Sequence, residues 1–125
     1  MPKRTAIIFV CAIIFVGFLG FFPNPFFGAD KFFQTDLAQN LAHIFIGIIM
    51  LFIGLKSEAR AIFSLKLFSV IFICIAMLGF LTPIDSKVLG IFESNLANNW
   101  LHLIVGIGML GLTINKNSEK PKVII

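Results

Sequence analysis

Charged residues are scarce in this 125-residue chain, at 13% of the sequence against roughly a quarter of an average soluble domain. Hydrophobic residues make up 58% and are gathered in long uninterrupted runs. The scarcity of charge argues against an ordinary soluble domain, and the runs indicate a membrane protein. We predict a single four-span transmembrane domain over residues 1–125.

Cysteine and the usual catalytic groupings are also nearly absent. The two cysteines, Cys11 and Cys74, lie inside apolar runs without C-x-x-C or metal-ligand spacing, so we interpret them as small buried hydrophobic residues. The sequence offers no Ser/His/Asp or Cys/His arrangement and no glycine-rich phosphate loop, so an enzyme is not predicted. Its basic residues form no stripe interleaved with aromatics, which argues against a nucleic-acid partner.

Four apolar runs are present instead, and the lipid bilayer is their expected surroundings. Each holds about 17–20 residues, enough for a helix to cross a hydrocarbon core of about 30 Å. The first run follows Lys3 and Arg4, as a signal peptide would, but it is long and has no A-x-A-like cleavage site, so we predict a retained helix. The predicted spans are 6–22, 37–55, 62–81 and 98–114.

The charge distribution predicts the orientation of these spans. Eight of the ten basic residues lie before the first span, around the middle connection or after the last span. Because basic residues favour the cytoplasmic side, we expect both termini in the cytoplasm of a multi-pass protein of the cytoplasmic membrane, in a bacterium its inner membrane.

The two halves of the sequence resemble each other at a shift of 59 residues. The pattern N-x-x-H-x-x-x-G-x-x-M-L begins at Asn40 and again at Asn99. Asparagine and histidine are uncommon in spans, so their recurrence indicates duplication. The repeats cover about 6–55 and 65–114, and two spans in each give both the same orientation. The expected fold is an all-α membrane four-helix bundle of two tandem helical hairpins.

The repeated motif supplies the candidate polar intramembrane site. Asparagine, histidine and glycine at i, i+3 and i+7 fall on one helix face, so the symmetry places His43 and His102 at one depth. Small and polar faces mark helix contacts in membranes, and we expect spans two and four to touch through them. The site comprises Asn40, His43, Asn99 and His102, and the helix-packing residues are Gly17, Gly20, Gly47, Gly54, Ala76, Gly79 and Gly106.

Asp36 and Asn95 occupy equivalent positions before spans two and four, and both are predicted N-caps. The outer connections that precede them, residues 23–36 and 82–95, are rich in apolar side chains. They are expected either to lie along the membrane interface or to fold as a hydrophobic lid over the helix ends. Trp100 is expected at the outer interface.

The motif resembles that of a known family. Asn99-Trp100-Leu101-His102 followed by Gly106, with a weaker copy from Asn40 to Gly47, is similar to bacterial four-helix membrane proteins grouped as domain-of-unknown-function family 4383. The resemblance covers nearly the whole chain and implies four spans. It implies no activity, because the family has none assigned.

Several functions remain open. The simplest interpretation is a structural or accessory membrane component in which His43 and His102 hydrogen-bond across the bundle, to Asn40 and Asn99 for example. The alternatives are small-solute or proton transport by an oligomer, haem or metal binding by the two histidines, and an accessory or sensing role. No cofactor is predicted; a second copy of the chain or another membrane protein is a possible partner.

Overall fold

The computed structural model describes residues 2–83, 86–92 and 95–117, and this part of the chain is mostly helical. It contains four helices: α1 (Pro2–Leu19), α2 (Leu37–Gly54), α3 (Glu58–Leu81) and α4 (Leu96–Asn117). Two short strands, β1 (Phe27–Gly28) and β2 (Phe33–Gln34), pair in parallel between α1 and α2.

Consecutive helices run antiparallel and form two hairpins. α1 packs mainly against α2, and α3 mainly against α4, while α3 also packs against α1 and α2. The end of α1 therefore lies beside the start of α2, and the end of α3 beside the start of α4. We call this side of the bundle the connection end, because residues 20–36 and the described residues between α3 and α4 (82–83, 86–92 and 95) lie there.

Three of the helices are long and apolar enough to cross a membrane: α2, α3 and α4 over Leu96–Ile114. The apolar stretch of α1 with described side chains, Arg4–Leu19, is shorter. Its helix ends at Leu19, before the end of the first apolar run, where Gly20 and Pro23 interrupt the pattern.

Large apolar side chains cover the outside of the bundle. Phe15, Phe45, Phe52 and Ile104 are all more than 60% exposed. Soluble proteins rarely expose so large an apolar area to water, whereas lipid would cover it. The interpretation of Cys11 and Cys74 as buried residues is wrong, because both are exposed on this surface. In a membrane helix the outward face is apolar too, so apolar character does not predict burial.

Side-chain caps fix the starts of three helices. Asp36 accepts a hydrogen bond from the Gln39 amide at 2.8 Å, and Asn95 accepts one from the Asn98 amide at 3.0 Å. Both predicted N-caps are thus confirmed. Ser57 does the same for α3, accepting from the Arg60 amide at 3.1 Å.

Candidate functional site

In each hairpin, an asparagine of the second helix packs directly against a glycine at the end of the first. The amide of Asn40 on α2 lies directly over Gly20 at the end of α1, and the amide of Asn99 on α4 lies over Gly79 near the end of α3. In both places a β-carbon on the glycine would overlap the amide, so only glycine allows the helices to approach this closely. Both asparagines are buried.

The glycines of the motif also face the neighbour within their own hairpin. A β-carbon at Gly47 would meet Ile14 of α1, and one at Gly106 would lie 2.7 Å from Cγ1 of Ile73 on α3. The expectation that these glycines join α2 to α4 is therefore wrong. The sequence shows that the Asn-His-Gly face is small and polar and therefore packs against another helix. It does not show whether that helix belongs to the same hairpin or to the other one.

The remaining packing residues follow the same arrangement. A β-carbon at Gly17 would lie 2.8 Å from Cγ1 of Ile44 and 2.9 Å from the Asn40 carbonyl. Ala76, the residue 59 positions later, is fully buried. At the other end of the bundle, Gly54 faces Ala6 at an ordinary contact distance of 3.5 Å.

The two histidines do come together, and they bridge the hairpins. The ring centroids of His43 on α2 and His102 on α4 are 5.8 Å apart, with the rings tilted by 45°. Phe72 of α3 completes a triangle, 6.5 Å from the first ring and 5.5 Å from the second. Contact between α2 and α4 is thus made through these side chains.

Both imidazole rings have an unsatisfied nitrogen. They are 8% and 7% exposed, and the Nδ1 atoms of His43 and His102 have no hydrogen-bond partner in the described part of the chain. The hydrogen bonds expected across the bundle therefore do not involve these atoms. The Oε1 atom of Gln39, one turn before His43, is likewise buried and unpartnered. Buried polar atoms without partners are uncommon and costly.

These three side chains border a single pocket at the connection end. Its volume for water-sized groups is about 40 Å³, which exceeds what one water needs. The walls are otherwise apolar. It is lined by Gln39, Ala42, His43, Ile46, Phe72, Ile75, Val88, Phe92 and His102.

The second connection covers this pocket at the connection end. Val88 donates a backbone hydrogen bond to Phe92 at 2.8 Å around a tight turn, in which Leu89 and Gly90 both have positive φ. Val88 is buried and lines the pocket together with Phe92. Of the two expected arrangements, the described part of this segment adopts the lid. Its other side still exposes Leu89 and Ile91.

Asn24 organises the first connection. The two N–H groups of its amide are shared among three carbonyls, those of Leu19 at 2.7 Å, Phe22 at 2.9 Å and Phe27 at 2.9 Å. Its oxygen accepts from the backbone amides of Phe26 at 3.0 Å and Phe27 at 2.7 Å. Sequence reasoning missed this residue, although an asparagine between Pro23 and Pro25 is a turn signal that could have revealed it.

The first connection is also tied to the second hairpin. The Asn95 side chain donates to the Phe32 carbonyl at 2.8 Å, and the Asn98 side chain donates to the Gln34 carbonyl. Lys87 and Asp36 add an ion pair at 4.0 Å between the two connections. Asn98 is almost fully buried, and its role was not predicted beyond the helix start.

No cluster of three or more potential metal ligands (His, Cys, Asp or Glu) occurs within the described ranges. The pocket therefore offers two imidazoles and one amide, on apolar walls. This chemistry suits hydrogen bonding to a small uncharged group.

The fold defines a mostly helical protein with three helices suited to crossing a membrane. The chain belongs to the family described as domain of unknown function (DUF4383), whose model matches residues 3–115. The resemblance drawn from the Asn-x-x-His motif is thus confirmed. No curated protein and no solved structure matches the chain.

Proposed function

We propose that the protein is a four-span component of the cytoplasmic membrane, with a structural or accessory role and both termini in the cytoplasm. The observation that carries the proposal is the close packing of Asn40 against Gly20 and of Asn99 against Gly79. Each hairpin is held by the same contact, and the two histidines join the hairpins. α1 crosses the membrane in this proposal because it packs along α2.

Equivalent contacts support a tandem origin of the two hairpins. Gly20 and Gly79, Asn40 and Asn99, and Ile14 and Ile73 differ by 59 positions within each pair. α1 packs on α2 as α3 packs on α4, which supports an axis along the bundle as the relation between the hairpins. Such parallel repeats share one orientation in the membrane.

A packing role agrees with the contacts better than a transport pathway does. α2 and α4 are continuous helices whose sequences contain no Asp or Glu, whereas coupled transporters place carboxylates or helix breaks near the midplane. The pocket nevertheless makes small-solute or proton movement by an oligomer the second candidate. Haem is less well supported, because a pocket of about 40 Å³ is far too small for a porphyrin.

Cysteine labelling in intact cells tests the topology. In a background carrying Cys11→Ala and Cys74→Ala, a membrane-impermeant maleimide should label Lys31→Cys and Ser86→Cys but not Ser57→Cys. Opposite labelling of the first two positions would refute the parallel hairpins. Labelling of only the third would reverse the proposed orientation.

The functional part of the proposal needs a separate measurement. We expect His43→Ala and His102→Ala to lower the thermal stability of the protein in detergent without altering proton or solute flux in reconstituted vesicles. A flux that wild type supports and both variants lose would favour transport. An absorption spectrum and metal analysis of the purified protein address the haem and metal alternatives, and cross-linking in membranes identifies a second copy or another membrane protein as partner.

A further inference from the structure

The pocket at the connection end has a polar floor and an apolar rim. Gln39, His43, Phe72 and His102 are buried and form the floor, while Ala42, Ile46, Ile75 and Phe92 are partly exposed and form the rim. Ala42 and Ile46 belong to α2 and Ile75 belongs to α3, so the mouth lies between these two helices. Val88, itself buried, covers the pocket at the connection end.

The floor requires a partner that the protein does not supply. Nδ1 of His43, Nδ1 of His102 and Oε1 of Gln39 are buried without hydrogen bonds, and all three residues are at least nine-tenths buried. An unmade hydrogen bond in apolar surroundings is costly. Three such atoms at one pocket indicate a bound polar group rather than three independent defects.

The size of the pocket limits what that group is. A volume of about 40 Å³ admits a carbonyl or hydroxyl but not a whole drug-sized ligand, which occupies some hundreds of Å³. No charged side chain is among the lining residues, so a phosphate or carboxylate would find no counter-charge. Water fits, and so does the uncharged polar end of a larger molecule, the rest of which would lie outside the mouth.

The mouth opens where the bilayer would be. In the proposed orientation, the flanks of α2 and α3 face lipid, and the histidines lie one to two turns below the connection end. We propose that the pocket binds the carbonyl or hydroxyl head of an uncharged lipid-soluble molecule, which reaches it sideways between α2 and α3. This inference rests on the membrane placement proposed above.

The chemistry of the floor suits such a head. A neutral imidazole presents either an N–H or a lone pair at Nδ1, so the two rings can donate to a carbonyl, or accept from a hydroxyl while donating to it. Oε1 of Gln39 is an acceptor, so it can bond to a hydroxyl head but not to a carbonyl head. Phe72 and Phe92 supply flat apolar walls for the adjoining carbon skeleton.

A difference between the repeats explains why the described residues form this site from Gln39 and Ala42 and not from their counterparts in the second half. The position equivalent to Gln39 in the second half is Asn98, whose amide is bound to the Gln34 carbonyl. Ala42 corresponds to Leu101, a larger side chain. The second half of the chain thus has a bonded amide and a larger side chain at the positions where Gln39 and Ala42 line the pocket.

Ligand-dependent stability of the detergent-purified full chain tests the proposal. The probes are decylubiquinone for a quinone carbonyl, farnesol for an isoprenoid hydroxyl, dioleoylglycerol for a lipid with both groups, and an alkane of matched length. We expect a rise in Tm and a one-to-one adduct in native mass spectrometry with at least one of the first three, and neither with the alkane. The probe that binds identifies the source of the head group.

Two variants with a matched control locate the binding. Ala42→Leu narrows the mouth and should abolish the rise in Tm, while Ala12→Leu, the same change on the exposed face of α1, should keep it. The double variant His43→Phe, His102→Phe should weaken binding roughly tenfold or more, because at least two hydrogen bonds are lost. The unliganded Tm of each variant reports whether it is folded.

Three results would overturn the inference. One is the absence of any adduct or Tm rise with all three polar probes. Another is binding that survives in Ala42→Leu and in the double histidine variant, which indicates lipid held around the helices instead. The third is binding of the alkane as tight as that of the polar probes. Failure of the membrane placement would appear separately, in the maleimide labelling.

Discussion

Substitution of Gly79 by alanine should separate α3 from α4. The added methyl would overlap the amide of Asn99, and this amide cannot swing aside because Asn99 is only 6% exposed. Forcing a methyl into a packed interior costs about 1–3 kcal/mol, and replacing glycine by alanine in a helix returns about 0.5–1 kcal/mol. We therefore expect the free energy of unfolding to fall by up to about 2.5 kcal/mol.

The chain provides a matched control in the neighbouring helix. A β-carbon at Gly108 on α4 would meet nothing within 4 Å, so Gly108→Ala should leave stability unchanged or raise it by up to about 1 kcal/mol. Asn99→Ala removes the overlapping amide, so Gly79→Ala should do less harm in that background. We expect a coupling of about 1 kcal/mol between the two sites.

Titration with SDS from dodecylmaltoside micelles, followed by circular dichroism, measures these free energies. Equal stability of Gly79→Ala and Gly108→Ala would contradict the close approach of α3 and α4 at this point. Additive effects of Gly79→Ala and Asn99→Ala would show that the amide is not what the methyl meets.

Three further substitutions probe the connections. Asn24→Ala removes the hydrogen bonds of this side chain to the first connection and should speed proteolysis there while leaving helix content intact; unchanged cleavage would contradict its role. Asn98→Ala removes a hydrogen bond to the Gln34 carbonyl and should cost about 0.5–1.5 kcal/mol in the same SDS titration. Asp36→Ala removes the α2 cap and should cost about 0.5–2 kcal/mol, with Ser86→Ala, an exposed site outside any helix, as a neutral comparison.

Local patterns made the four helices predictable, and also the starts of α2 and α4. Runs of apolar residues mark helices that a bilayer would cover, and Asp36 and Asn95 cap helices through atoms only three residues away. The proximity of His43 and His102 was likewise expected from the shift of 59 residues, because equivalent faces of equivalent helices tend to meet in a symmetric bundle.

Choices between neighbours were not predictable. The Asn-x-x-His-x-x-x-Gly face is equally suited to packing against the partner helix of its own hairpin or against the other hairpin, and periodicity does not decide between them. In the structure, Asn40 and Gly47 on this face contact α1 of the same hairpin, whereas His43 contacts His102 of the other hairpin. The lid formed by Val88 and Phe92 was one of two equal alternatives, because its apolar side chains suit a helix end as well as a membrane interface.

The bonds from Asn95 and Asn98 to the first connection couple the folding of the two hairpins. Side chains at the start of α4 donate to the carbonyls of Phe32 and Gln34, which are synthesised before α4. The second hairpin therefore completes its structure only on an already ordered first connection. Loss of that order should unfold both hairpins in a single cooperative step rather than one after the other.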